Sequence, residues 1–358
     1  MCQSEVARHS VYLGKLSNGK LETRIEAALS WLNWEKIVGS GARVVIKPNL
    51  TWRQHIPGVT VTPEFLAAFV RIIRSRTSHV LIVESDGGYH GYPAEEAFQG
   101  HGLYELAKTT GVRLLNLSRA SRERVGGTID GRSVSLELPS TLLHEVDTFI
   151  TVPVPKIHAM TGVSLGFKNQ WGCLPDPMRL RLHPEFTRAI LLINRTLRPR
   201  LAVFDGQWFL DQTGPMIGQP VRKDLIIASD DPGAGSLACC RIMGINARTI
   251  RHLALAQREA MMPRTLDEIN CNEACEGYFD RPFTLKRSAI HLLALAAFRS
   301  RTLNWLGYDS AFADLAHKAL YRLRRNHVIA ARLYGKQGAP AVEGDRRNRY
   351  EHAPAAGG

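Results

Sequence analysis

Residues 42–74 read ARVVIKPNLTWRQHIPGVTVTPEFLAAFVRIIR, and this stretch decides the fold. ARVVIKP (42–48) is a β-branched apolar run closed by a proline, which lacks the N–H that a central ladder needs, so it predicts a strand ending there. The loop NLTWRQHIPGVTV follows. Thr62-Pro63-Glu64 then reads as a helix start, with an N-cap residue, proline at the first helical position and an acidic first turn before FLAAFVRIIR at helical spacing. Strand, loop and helix in that order predict a βα unit and a parallel sheet.

The same rhythm continues outward. HVLIVESDGG (79–88) is a strand ending in a Gly-rich turn, PAEEAFQGHGLYELAKTTG (93–111) is helical, and GVRLLNL (111–117) is another strand. GGTIDGRSVSLELPS alternates polar and apolar residues around Asp130-Gly131, so residues 119–145 predict a hairpin insertion. DTFITVPVPK (147–156), RLAVFDG (200–206) and DLIIASDD (224–231) are three further strands, the last followed by the helix PGAGSLACCRIMG. About six βα-type units predict an α/β fold, a mostly parallel doubly wound sheet whose strand ends share one edge. After Met262-Pro263 helix is expected without strands. The expected organisation is an N-terminal extension with a helix (1–35), the α/β core (36–262), a basic helical extension (263–336) and a disordered Gly/Ala/Pro-rich tail (337–358).

The composition fits a folded protein. Of 358 residues, 44% are hydrophobic and 22% charged, enough apolar material for a large core, and no apolar run approaches a bilayer span. Lys+Arg outnumber Asp+Glu by 46 to 33, a net +13 that attracts phosphates, acidic surfaces or nucleic acid. Residues 281–358 carry +9 of it, with 14 Lys+Arg against 5 Asp+Glu. The polar N-terminus MCQSEVARHSVY has no secretory character and the six cysteines are scattered, which points to a reduced, cytoplasmic setting. Cys271 and Cys275, four apart, could share a helix face, but no second pair stands at zinc-finger distance. No iron–sulfur motif, P-loop, GxGxxG dinucleotide fingerprint or GxSxG elbow occurs.

Ligands of open α/β sheets bind outside the carboxyl ends of the strands, so the polar residues that follow each strand are the candidates. These are Lys47 and Asn49; Asp86 in its Gly-rich turn; Lys156 and His158; Asp205; and Asp230 and Asp231, with Lys168, Asn169 and His183 in the long segment between strands. Taken singly, an Asp or Asn there is a turn former or cap, and a lysine is a solvated edge residue. Together they predict a cleft for a carboxylate- or phosphate-bearing small molecule. Lys156, His158, Lys168 and Asp205 are the catalytic candidates. Lys47, Asn49, Asp86, Asn169, His183 and Asp231 are the ligand-binding ones. In that scheme Lys168 and Lys47 hold the anion, His158 or Lys156 exchanges a proton and Asp205 orients the cationic group. His158, His183, Asp86 and Asp205 are also candidates for a divalent metal, although no HxH or HExxH spacing supports them.

VVIKPNL, VESDGG, VPVPKIHAMTGVSLGFKNQWG, His183, LAVFDG, TGPMIGQP and ASDDPGAGSLACCRIMGI together resemble the domain-of-unknown-function family 362 over residues 40–262. The K-x-H…TG…KN…G core from Lys156 to Gly172 is the most specific part. The resemblance implies the α/β fold and a site around that core rather than a reaction. It also implies a ferredoxin-type iron–sulfur module in many members, which this chain lacks, its place being taken by the basic helical extension. The family is distantly similar in layout to nickel-dependent lactate racemase, which implies proton or hydride transfer beside a carbonyl. Family members usually carry a second Asp early in the last helix where this chain has Ser236.

The leading expectation is therefore an enzyme acting on an anionic small molecule. Nucleic-acid binding through the basic extension is the alternative, and the extension's aromatics, mostly at helical spacing, favour it less. SAIHLLALAAFRSRTLNWLG (288–307) is too short to span a bilayer, yet arginines flank its apolar run and a tryptophan lies within it. It reads first as a helix packed on the core. Its second reading is peripheral contact with an anionic membrane, which would make the substrate a lipid-linked intermediate.

Overall fold

The computed structural model describes residues 9–17, 19–310 and 313. Its strands are β1 (His9–Lys15), β2 (Val44–Pro48), β3 (Val80–Glu84), β4 (Arg113–Asn116), β5 (Arg122–Ile129), β6 (Arg132–Pro139), β7 (Thr148–Val152), β8 (Lys156–His158), β9 (Gly162–Ser164), β10 (Leu201–Asp211), β11 (Gln219–Ser229) and β12 (Ile269–Cys271). The helices are α1 (Leu21–Trp31), α2 (Trp34–Ile37), α3 (Pro63–Arg76), α4 (Ala94–Gly100), α5 (Leu103–Thr110), α6 (Ser140–His144), α7 (Gly166–Asn169), α8 (Phe186–Leu197), α9 (Pro232–Ile242), α10 (Arg251–Arg258), α11 (Ala289–Arg299) and α12 (Arg301–Tyr308).

The main sheet runs β12-β1-β11-β10-β7-β2-β3-β4, with β8 attached to β10 and β9 to β8. Along that path only β11 opposes the rest, so the sheet is mostly parallel, as expected. Every residue of β2 and β7 is buried because helices cover both faces. Val44 and Ile46 enter one apolar layer with Phe65 and Phe69 of α3; Val45 and Phe149 enter the other, with Phe167, Trp171 and Ile190. By the two-residue period, Lys47 and Thr151 share the face of Val45 and Phe149. Two residues that sequence alone would leave at an edge are thus carried into the second layer.

The hairpin is β5 and β6, paired antiparallel from Arg122↔Pro139 to Ile129↔Arg132. Asp130 and Gly131 both have positive φ, 53° and 68°, which is what a two-residue turn matched to strand twist demands. The expected single helix over 93–111 is broken into α4 and α5 at Gly102, whose φ is 69°.

Other expectations need correction. The last core strand does not point the same way as its neighbours: β10 and β11 form a long antiparallel ribbon, so β11 delivers Asp230 and Asp231 back toward the amino ends of the parallel strands. β1, in the segment assigned to an N-terminal extension, pairs with β11 inside the sheet, and β12, beyond Pro263, pairs with β1. Cys271 ends that strand and Cys275 opens a short 3-10 turn, so the two do not share a helix. The tail at 337–358 and most of 311–336 lie outside the described residues.

Candidate functional site

The chain winds from β2 to β3 to β4 and then returns to β7 on the other side of β2, so the direction of winding reverses between β2 and β7. Such switch points leave a crevice outside the strands' carboxyl ends. Asn169 sits across it: its Nδ2 donates to Lys47 O at 2.9 Å and to Thr151 Oγ1 at 2.8 Å. Thr151 Oγ1 in turn donates to Gln170 Oε1 at 3.1 Å, Gln170 Nε2 to Asn194 Oδ1 at 2.8 Å, and Asn194 Nδ2 to Phe167 O at 2.8 Å. This buried, mutually satisfied chain fixes the one-turn helix α7 against both strands. At its start, a Cβ on Gly166 would lie 2.4 Å from Pro232 O, so only glycine fits. Ser236 Oγ accepts from Gly166 N at 3.1 Å and donates to Pro232 O at 2.5 Å. The hydroxyl standing where the resemblance implies Asp thus joins α7 to α9.

Three lysines converge here in different company. Lys47 Nζ donates to Glu84 Oε2 at 2.7 Å and to Pro48 O at 2.7 Å. Glu84 also accepts from Leu50 N and Ser85 N, at 3.2 and 3.0 Å. A Cβ on Gly172 would come within 2.8 Å of Glu84 Oε1 and 2.9 Å of Lys47 Nζ, so the glycine lets the chain close over this ion pair. Lys156 Nζ donates to Val59 O and, at 3.2 Å, to Asn49 Oδ1, which also accepts from Thr51 Oγ1. Burial, then the Lys168 and Lys47 charges, pull Lys156 down to about 7. Lys168 is only 9% exposed. Its Nζ lies 5.1 Å from the Phe186 ring centre and 5.6 Å from that of Trp171. Among the described residues it has no carboxylate within ion-pair distance, and burial, followed by Arg179 and Lys47, lowers it to about 7. Arg179 is held by its own bonds, to Ser85 Oγ at 3.1 Å and Asp86 O at 2.8 Å.

Two histidines flank Lys168 in opposite tautomers. Met160 N donates to His158 Nδ1 at 3.1 Å, so a neutral His158 carries its proton on Nε2. His183 Nδ1 faces Leu180 O at 2.7 Å and must donate to it, which leaves Nε2 as a bare acceptor. Burial comes first for both and nearby cations add to it: His158 falls well below its ordinary range, and His183 falls to about 4. His252, also buried, is lowered to about 3 by burial and Lys168, and its Nε2 has no hydrogen-bond partner among the described residues. One imidazole offers an N–H as a hydrogen-bond donor and the other a bare nitrogen that can take a proton, beside a lysine with no carboxylate in ion-pair distance among the described residues.

The remaining sequence candidates are drawn elsewhere. Asp205 accepts from Thr62 N at 2.6 Å and Gln207 N at 3.1 Å, so it holds the start of α3, a task Thr62's own side chain does not perform. Burial raises it to about 6. Asp86 Oδ1 accepts from Ala94 N at 2.9 Å and Asn116 Nδ2 at 2.7 Å, at the start of α4. Asp231 caps α9 through Ala234 N at 2.7 Å. His158, His183, Asp86 and Asp205 therefore do not assemble as a metal site, and no cluster of three or more His, Cys, Asp or Glu placed to hold a metal occurs among the described residues. Sequence reasoning missed Glu84, Thr151, Arg179 and His252. Glu84 could have been found as an acid ending the strand beside Lys47; the other three carry no local signal. A separate groove lined by Cys240, Arg241, Arg248 and Phe279 contains none of these groups.

Comparisons with known proteins agree with the sequence. The family model described as Domain of unknown function (DUF362) matches residues 44–241, more than half of the chain, and the chain belongs to that family. Thylakoid-associated protein sll1697 of Synechocystis sp. is 24% identical over 236 residues, covering 63% of this chain and 70% of that protein. Among solved structures, the lactate racemase apoprotein of Thermoanaerobacterium thermosaccharolyticum aligns with TM-score 0.45 and 16% identity over 66% of this chain and 57% of its own. A Thermotoga maritima protein aligns with TM-score 0.35 and 14% identity, over 57% of this chain and 54% of its own. The chain thus spans little more than half the length of either solved structure.

Proposed function

We propose that this member of the family is an enzyme that binds a carboxylate- or phosphate-bearing substrate against Lys168, with His183 taking a proton from it and His158 orienting it through a hydrogen bond. The observation that carries the reading is a lysine nine-tenths buried, with aromatic faces and other cations around it and, among the described residues, no carboxylate within ion-pair distance. A buried charge without a partner is costly, so empty Lys168 gives up its proton near neutral pH. An arriving anion supplies the missing charge, raises the amine's affinity for its proton and is held in a low-dielectric crevice where such a pair is strong. His158 Nε2–H then donates a hydrogen bond to the substrate and His183 Nε2 acts as the base that takes its proton. Lys47 and Lys156 act differently. With Glu84, Asn49 and the Val59 carbonyl they form the rigid, positively biased floor.

The test is stabilisation by anions. Inorganic phosphate and short hydroxy or keto carboxylates should raise the melting temperature of the wild type and leave Lys168→Met unmoved. An equal response in both proteins, or none in the wild type, would count against the site.

A further inference from the structure

Among the described residues, the hairpin of α11 and α12 packs one face on the segment that carries His183 and leaves apolar side chains of the other exposed. Inward, Phe298 stacks on His183 with ring centres 4.1 Å apart, and Tyr308 stacks on Phe298 at 5.7 Å. Asn304 Nδ2 donates to Leu180 O at 3.2 Å, Arg301 pairs with Glu185 at 3.1 Å, and Arg181 pairs with Asp309 at 2.5 Å. Outward, Leu292 and Leu293 are 57% and 72% exposed, and α12 adds Leu303, Trp305 and Leu306 at 47%, 57% and 44%. Ala289, Leu292, Leu293 and Ala296 are all exposed and recur at i, i+3, i+4 and i+7, one stripe of α11. Five large apolar side chains together on one small hairpin exceed the scattered exposure of an ordinary soluble surface.

The charge around this face selects its occupant. Of the described side chains from 286 to 310, Lys286, Arg287 and Arg301 are exposed cations, Arg287 reaching Ala159 O and Arg301 reaching Glu185 from the rim, while the one acid, Asp309, is paired with Arg181. Lys286 and Arg301 are exposed beside the apolar stripe. Exposed aliphatic side chains on both helices, and a tryptophan on α12, with cations beside them match the boundary between acyl chains and anionic headgroups. Neither helix is long enough to cross a bilayer, so the hairpin lies along it. We propose that this face of α11 and α12 docks on an anionic lipid bilayer, which sets the hairpin over His183 at the membrane surface. The docking surface stands apart from the reading of Lys168, because different residues and different measurements report on the two.

Flotation of the full-length protein with phosphatidylcholine vesicles, with and without phosphatidylglycerol, tests it. Binding should be strong only with phosphatidylglycerol, weaken at high salt, and fall by about tenfold or more in Leu293→Glu/Trp305→Glu. That double variant should melt where the wild type does and keep its response to phosphate, since both side chains are exposed. Failure to float with anionic vesicles, equal flotation with neutral ones, or undiminished flotation of the double variant would overturn the proposal. So would a wild-type dimer, seen by light scattering, that the double variant dissociates, because a second copy would then be the occupant.

Discussion

Lys47 and Lys168 are both buried at the β2–β7 switch point, and they differ in what surrounds them. Lys47 has a carboxylate, a carbonyl and a glycine shaped to close over the pair. Lys168 has two aromatic faces and the field of other cations. A buried charge with its partner belongs to the architecture; a buried charge without one is an energetic debt that a ligand can remove. The comparison assigns the first lysine to the fold and the second to function.

Substitution at both positions should break the symmetry of type between them. Lys47→Met leaves the Glu84 carboxylate buried and unpaired, and should cost about 3–5 kcal/mol in denaturant unfolding. Gly172→Ala forces a methyl group to within 2.8 Å of Glu84 Oε1 and should cost about 1–3 kcal/mol by the same assay. Lys168→Met removes an uncompensated charge and keeps an apolar stem between Trp171 and Phe186. Its unfolding free energy at pH 7 should equal or exceed that of the wild type; a loss as large as that of Lys47→Met would make Lys168 architectural too.

The pH dependence sharpens the same contrast. Lys168 loses its proton at about 7 in the folded chain and at about 10.4 in the unfolded one. Between those values the unfolded state binds more protons, so stability rises with pH, by up to about 1.4 kcal/mol per unit for this one group. Below about 7 both states are protonated and the destabilisation is fully present. Lys156 contributes in the same direction and is itself lowered in part by the Lys168 charge, so the difference in slope between wild type and Lys168→Met reports Lys168 together with its pull on Lys156. Saturating phosphate should flatten that difference.

Local signals carried much of the architecture. The β-branched runs, Pro63 at a helix start and the Asp130-Gly131 turn each act through their own neighbours, and each appears where its chemistry places it. Strand direction is not a local property. Nothing in DLIIASDD says that β11 opposes β10, and that reversal removes Asp231 from the edge where a uniform parallel sheet would have put it. β1 escaped notice because its seven residues, HSVYLGK, carry too little alternation and find their partners more than 200 residues away. At the site, lysines after strands were legible as a coincidence of type. Which of them is paired was not, since Glu84, Asn49 and Val59 reach their lysines only once β2, β3 and β8 are assembled. Asp205 shows the same limit: an acid after a strand is equally a catalyst or a cap until Thr62 N is seen 2.6 Å away.

Selective 13C labelling of lysine, with Lys168→Met used to assign the resonance, gives the Lys168 titration directly by NMR. Without anion it should titrate near 7, and with saturating inorganic phosphate it should move up toward the ordinary lysine range. A Lys168 that titrates in the ordinary range in both conditions, or near 7 in both, would contradict the account of an unpartnered cation completed by its ligand.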